Sequence, residues 1–189
     1  MRKVNFLQMI GSGLIVCGLL LAVFSCFSTI QASKQMERAV QEIQKILPPP
    51  TPGVMDQYSS MEMPALQIDG KNYVGLLDIP AFGITLPIGA TWSALTAGMC
   101  PSRFCGSVYD GSLAIGGTDR NGQLDFLERL QIGDAVEVTD MTGARFRYTV
   151  SWIQRSTSAD MDVLVKEGSK LTLFAGDRFS LEYVIVFCE

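Results

Sequence analysis

The residues from 6 to 30, FLQMIGSGLIVCGLLLAVFSCFSTI, carry no charged side chain. A run of this length that is apolar on every side has one stable regular form, a helix with apolar surroundings all round it. About 25 residues suffice to cross a bilayer with some tilt. Arg2 and Lys3 precede the run, which leaves residues 1–5 in the cytoplasm and sends the rest of the chain outside. The rival reading is a cleaved signal peptide, whose apolar core is about 7 to 15 residues and so shorter than this one. Ala32 is its one possible end point. A lipoprotein reading through Cys26 meets the bulky Phe24 where a small residue is preferred. The reading adopted is a single-pass membrane anchor over residues 6–30, with the C-terminal part extracellular.

Beyond the anchor, SKQMERAVQEIQKIL places Met36, Val40, Ile43 and Leu47 at near-helical spacing. This reads as a short helix leaving the membrane, a stalk with one damp apolar face, with an oligomer contact as the alternative. PPPTPG must end that helix and acts as a stiff spacer. Residues 31–70 are therefore expected to be helical stalk and linker, and the folded domain to occupy 71–189.

From Lys71 the texture changes. YVGLLDIP, GITLPI, GSLAIGG, DAVEVTD, ARFRYTVSWI, KLTLFAG and LEYVIVF are short β-type runs between turn residues. In the fifth, Phe146, Tyr148 and Val150 alternate with Arg145, Arg147 and Thr149, and MTG before it makes a hairpin turn. LDFLERL is the best helical turn. Many strands with little helix predict an all-β barrel or sandwich.

Charge and composition exclude several functions. Without Arg2 and Lys3 the chain holds 13 basic against 19 acidic residues, a balance of −6, which argues against a nucleic-acid partner. There is no histidine in the chain, so the commonest general base and metal ligand are missing. Five scattered cysteines without a CxxC make a zinc site unexpected. No metal and no cofactor are expected.

Taken in order, these residues resemble a sortase, a cell-surface cysteine transpeptidase of Gram-positive bacteria. GLLDIPAFGITLPI resembles the opening strands, and SLAIGGTDRNGQLDFLERLQIGDAVEV the segment around the family's catalytic histidine. KLTLFAGD resembles the strand that ends in the nucleophilic cysteine, and LEYVIV the strand that opens with the catalytic arginine. The resemblance covers about residues 73–187 and implies a sortase-like closed β-barrel with short helices, preceded by the transmembrane helix. It also implies that the chemistry is gone. The histidine position falls on Thr118, the cysteine on Gly176 and the arginine on Glu182. Glycine has no attacking atom, threonine cannot cycle protons near neutral pH, and glutamate repels a developing oxyanion. Loss of the nucleophile from such a triad costs on the order of 10⁶-fold.

The expected function is thus a membrane-anchored pseudo-sortase at the cell surface that binds a sorting-signal peptide, a pilin or an active sortase. The alternatives are a divergent active transpeptidase and a purely structural envelope module. Two loops carry candidate binding residues. Asp119 and Arg120 follow the lost histidine, and Asp177 and Arg178 follow the lost cysteine. Crosswise pairing, Asp119 with Arg178 or Arg120 with Asp177, would bridge the vacated site; two ordinary polar turns are the plainer reading. Cys100 and Cys105 lie outside the membrane and are expected to close a disulfide loop, with two free thiols as the alternative. Cys188 reads as a packed or terminal thiol.

Overall fold

Turn residues cut the chain after residue 62 into strands too short to bury two faces alone, so they pair around a common core. The computed structural model describes residues 6–53, 62–93, 98–119, 122–157, 164, 168–176 and 182–189, and in the first helix the side chains of 10–24 and 30–46. Among the described residues, helix α1 (Phe6–Ile46) precedes ten strands: β1 (Thr51–Pro52), β2 (Leu66–Ile68), β3 (Lys71–Ile79), β4 (Ile84–Gly89), β5 (Ser102–Cys105), β6 (Leu113–Thr118), β7 (Ala135–Asp140), β8 (Ala144–Ser156), β9 (Leu171–Gly176) and β10 (Tyr183–Cys188). Hydrogen bonding runs β8-β10-β9-β6-β5-β4-β3, and β7 pairs with both β3 and β8, so eight strands close on themselves. β1 and β2 are added at the edges. The expected hairpin is present as β7–β8, and LDFLERL supplies a 3₁₀ turn at Leu127–Arg129.

Alternation sorts the side chains. Leu171, Leu173 and Ala175 of β9 and Val184, Val186 and Cys188 of β10 belong to the main core. Phe174, Ile185 and Phe187, at the intervening positions, join Leu164, Phe104 and Tyr183 in a second cluster. At the β7–β8 corner the buried Asp140 carboxylate accepts from the Tyr109 hydroxyl at 2.6 Å, the Thr142 amide at 2.8 Å and the Ala144 amide at 2.9 Å. One carboxylate thus fixes a tight turn and ties it to the loop before β6.

Residues 31–70 take part in the barrel more than a stalk would. α1 runs unbroken from the apolar segment into SKQMERAVQEIQKI. Met36, Ala39 and Ile43 are buried in the main core, and the helix packs along β4. The stripe is therefore an internal contact of this chain. The proline segment is likewise strapped down. The Thr51 amide donates to the Gly143 carbonyl at 2.9 Å and the Gly53 amide to the Arg145 carbonyl at 2.7 Å. Pro52 stands between them, where the edge ladder needs no N–H. Met63 is also buried in the core.

The structure does not support the expected membrane-spanning helix over residues 6–30: among the described residues no helix is long and apolar enough to cross a membrane. Within α1, Leu14, Ile15, Val16, Leu19, Leu20, Leu21, Val23 and Phe24 are all exposed.

The docked half of α1 gives a direct test. Ile43 is 0 % exposed, and Ile43→Ala should lower the unfolding free energy by about 2–5 kcal/mol, measured by denaturant titration. A loss of less than about 0.5 kcal/mol, the level of an ordinary surface change, would return residues 33–47 to the role of a free stalk.

Candidate functional site

Sheet register brings the three degenerate positions together. β6 and β9 are parallel neighbours, with Thr118 opposite Gly176. β9 and β10 are antiparallel, with Gly176 opposite Tyr183. Glu182 is the residue before Tyr183. Neighbouring strands stand about 4.8 Å apart, so the three positions lie across adjacent strand ends. The Thr118 amide donates to the side-chain oxygen of the fully buried Gln123 at 3.2 Å, and the Leu124 amide donates back to the Thr118 carbonyl at 3.1 Å. These two bonds tie Gln123 and Leu124 back to the end of β6.

Gly176 is glycine for a steric reason visible in the register. A β-carbon there would strike the Tyr183 ring, which lies over the position from the opposing strand. The same pattern recurs at Gly116, where a β-carbon would strike the Phe174 ring and the Trp92 indole. Trp92, Phe104 and Phe174 form a row of edge-to-face contacts, with centroids 5.5 and 5.3 Å apart. Aromatic rings laid over cross-strand glycines are a known way to hold such sheets. Here they take the space into which a side chain at Gly176 or Gly116 would project.

Where β9 ends and β10 begins lies a cavity of about 300 Å³ lined by Asp119, Leu124, Asp125, Leu127, Glu128, Arg155, Ala175, Gly176, Glu182 and Val184. Four carboxylates face one guanidinium, and Arg155 is already paired with Glu128 at 2.9 Å. Both are more than half exposed, so this pair adds little stability. The lining favours a cationic guest and disfavours an anionic transition state.

Of the binding candidates, Asp119 is described and exposed and lines the cavity. Arg120, Asp177 and Arg178 lie outside the described residues, and with them both crosswise pairs. Tyr183, Arg155, Asp125 and Glu128 are site residues that sequence reasoning missed. Tyr183 was absorbed into the apolar run LEYVIV. Arg155 was hidden at the end of a long strand, and only the pairing of β8 with β10, Arg155 opposite Val184, brings it to the cleft.

The expected Cys100–Cys105 disulfide does not form; both thiols are free. The reason is β5, which runs from Ser102 to Cys105. Three steps of extended chain carry Cys105 about 10 Å from Ser102, while Cys100 stays beside Ser102, whose hydroxyl donates to the Cys100 carbonyl at 3.1 Å. Cys100 is buried, with its sulfur 3.9 Å from the Ser102 hydroxyl oxygen. Burial raises the pKa of its thiol, and burial followed by Asp110 raises that of Cys105. Cys188 is buried in the barrel, and burial pushes its thiol up to about 12. None is activated as a nucleophile.

No protein-family model matches the sequence, and no curated protein matches it. Solved structures do match the fold. Sortase A of Listeria monocytogenes is 14 % identical with a TM-score of 0.55, covering 62 % of this chain and 86 % of that one. A sortase D5 transpeptidase of Clostridium perfringens is 22 % identical with a TM-score of 0.54, covering 62 % and 78 %. A C. perfringens sortase C with the C-terminal cell wall sorting motif is 15 % identical with a TM-score of 0.53, covering 85 % and 86 %. The chain has the sortase fold.

Two predictions follow from the site. Gly176→Cys should lose about 1–3 kcal/mol of stability through overpacking against Tyr183, and Tyr183→Ala in the same chain should restore part of it. The new thiol should react with iodoacetamide quickly only in the double variant. A stable, freely reactive single variant would mean that the ring does not hold the space. The second concerns pH. The Cys188 thiol is held protonated when folded but ionises near its ordinary value of 9.0 when unfolded. Its contribution is present below pH 9 and is lost as pH rises toward 12. Denaturant midpoints should fall between pH 8.5 and about 11, and less steeply in Cys188→Ala.

Proposed function

We propose that this chain is a membrane-anchored binding protein of the cell surface, built on the sortase fold and without transpeptidase chemistry. The observation that carries the reading is Gly176. The position of the nucleophile has no side chain, and the Tyr183 ring stands over it. The absence of histidine from the whole chain removes the proton carrier as well. Retention of a cleft beside that point supports a role in binding. Its ligand would be an extended segment of a surface protein, a pilin or an active sortase. The carboxylates at Asp119, Asp125, Glu128 and Glu182 favour a segment rich in lysine or arginine. That a related fold has been solved with a C-terminal cell wall sorting motif supports a peptide as the ligand class.

The membrane reading rests on α1. Eight large apolar side chains between Leu14 and Phe24 are exposed with no charge among them. A helix apolar on all sides is stable in lipid and a liability in water. The anchor would put the barrel close to the membrane, because α1 continues without a break into the part docked on β4.

A purely structural module is the second reading, and one observation favours it. Trp92, Phe104, Phe174 and Tyr183 already cover the outer face of β6 and β9.

The test is an NMR titration of the full chain in detergent micelles with sorting-signal peptides, with and without basic residues. Saturable shifts at Asp119, Gly176 and Glu182, stronger for the basic peptides and weakened by Glu182→Gln, are expected. Shifts absent with every peptide would give the structural module the better claim.

A further inference from the structure

On the far side of the β7–β8 hairpin, Arg145 and Arg147 stand two residues apart on the same face of β8, as their alternation with Phe146 requires. Both turn to one carboxylate. Glu137 on β7 receives Arg145 Nη1 at 3.2 Å on one oxygen and Arg147 Nε at 2.9 Å on the other. Glu137 is opposite Arg147 in the ladder and only 15 % exposed. One negative charge thus serves two guanidiniums, and a net positive charge is left in a chain whose overall charge is −4. The Arg145 Nε is buried and has no acceptor among the described residues.

The surroundings make this pair concave. Pro50, Thr51 and Pro52 lie beside Arg145 and Arg147 and enclose a cavity of about 230 Å³ with them. The wall is tied to the hairpin on both sides of Pro52, by the Thr51 amide to the Gly143 carbonyl and the Gly53 amide to the Arg145 carbonyl. It brings no acidic side chain. Arg147 is 75 % exposed, and its bond to Glu137 uses Nε.

We propose that Arg145 and Arg147, walled by residues 50–52, form a binding site for an anionic group, a phosphate or a carboxylate. The arrangement has what recognition of such groups uses: planar N–H forks held in place by a partly buried carboxylate, with donors left over. With the apolar end of α1 in a bilayer, the helix from Ile30 to Ile46 would separate this site from the lipid by up to about 24 Å. That separation favours a soluble or polymeric anion over a lipid headgroup.

The full chain in detergent micelles can be tested by following the arginine Nε–H signals in ¹H–¹⁵N spectra. Sodium phosphate, a glycerol phosphate diester and sodium acetate would be added separately, at ionic strength held constant with sodium chloride. Saturable shifts of the Arg145 and Arg147 signals are expected with at least one anion, and at least tenfold weaker binding in R147Q. A response to phosphate and the diester identifies a phosphate site, and an equal response to acetate a carboxylate site. Arg147 is largely exposed, so R147Q keeps the test open if R145Q fails to fold. No shift beyond the chloride control, or shifts unchanged in R147Q, would overturn the site.

Discussion

The structure depends on the double pairing of β7. Without it the sheet from β8 round to β3 would be open, with a long strand exposed at each end. Because β7 bonds to β3 on one edge and β8 on the other, the ring closes and the alternating apolar positions all face one core. The seam is tight. Gly75 in β3 is opposite Asp140, and a β-carbon there would strike the Thr139 carbonyl. Asp140 sits at the same corner, its carboxylate satisfied by the turn it begins and by Tyr109 from a distant loop. Closure, turn and loop are thus held at one place.

Closure also fixes what the cleft can be. With β6, β9 and β10 locked in register, Thr118, Gly176 and Tyr183 cannot avoid one another. With a nucleophile at position 176 this geometry would gather a reactive group and its partners. Here it gathers a hydroxyl, a bare backbone and a ring. The aromatic row from Trp92 to Phe174 gives the same outer face a packing role. The cavity that remains is bordered by carboxylates, so a basic segment suits it better than an acyl-transfer transition state does.

Much of this was legible in the residues. The β runs from Lys71 onward match β3, β4, β6, β7, β8, β9 and β10, because alternation and turn residues are local signals. Convergence of positions 118, 176 and 182 followed from the resemblance. What escaped was set by partners far away in sequence. SKQMERAVQEIQKIL shows an apolar stripe, but nothing local says that β4 will cover it. PPPTPG looks like a spacer until the free carbonyls of Gly143 and Arg145 are known. SRFC reads as a loop between two cysteines, whereas the strand it forms is what keeps them apart. Tyr183 carries no sign in sequence that its ring will lie over Gly176; that is a property of register.

The most direct measurement of the central claim is turnover. The full chain in detergent would be incubated with fluorogenic sorting-signal peptides and hydroxylamine as acceptor, and product followed by mass spectrometry over a day. The account predicts a rate equal to that of buffer, because no residue at position 176 can form an acyl intermediate. Product above that level, lost on substitution of Thr118, Asp119 or Glu182, would contradict it and make this cleft a catalytic site of another kind.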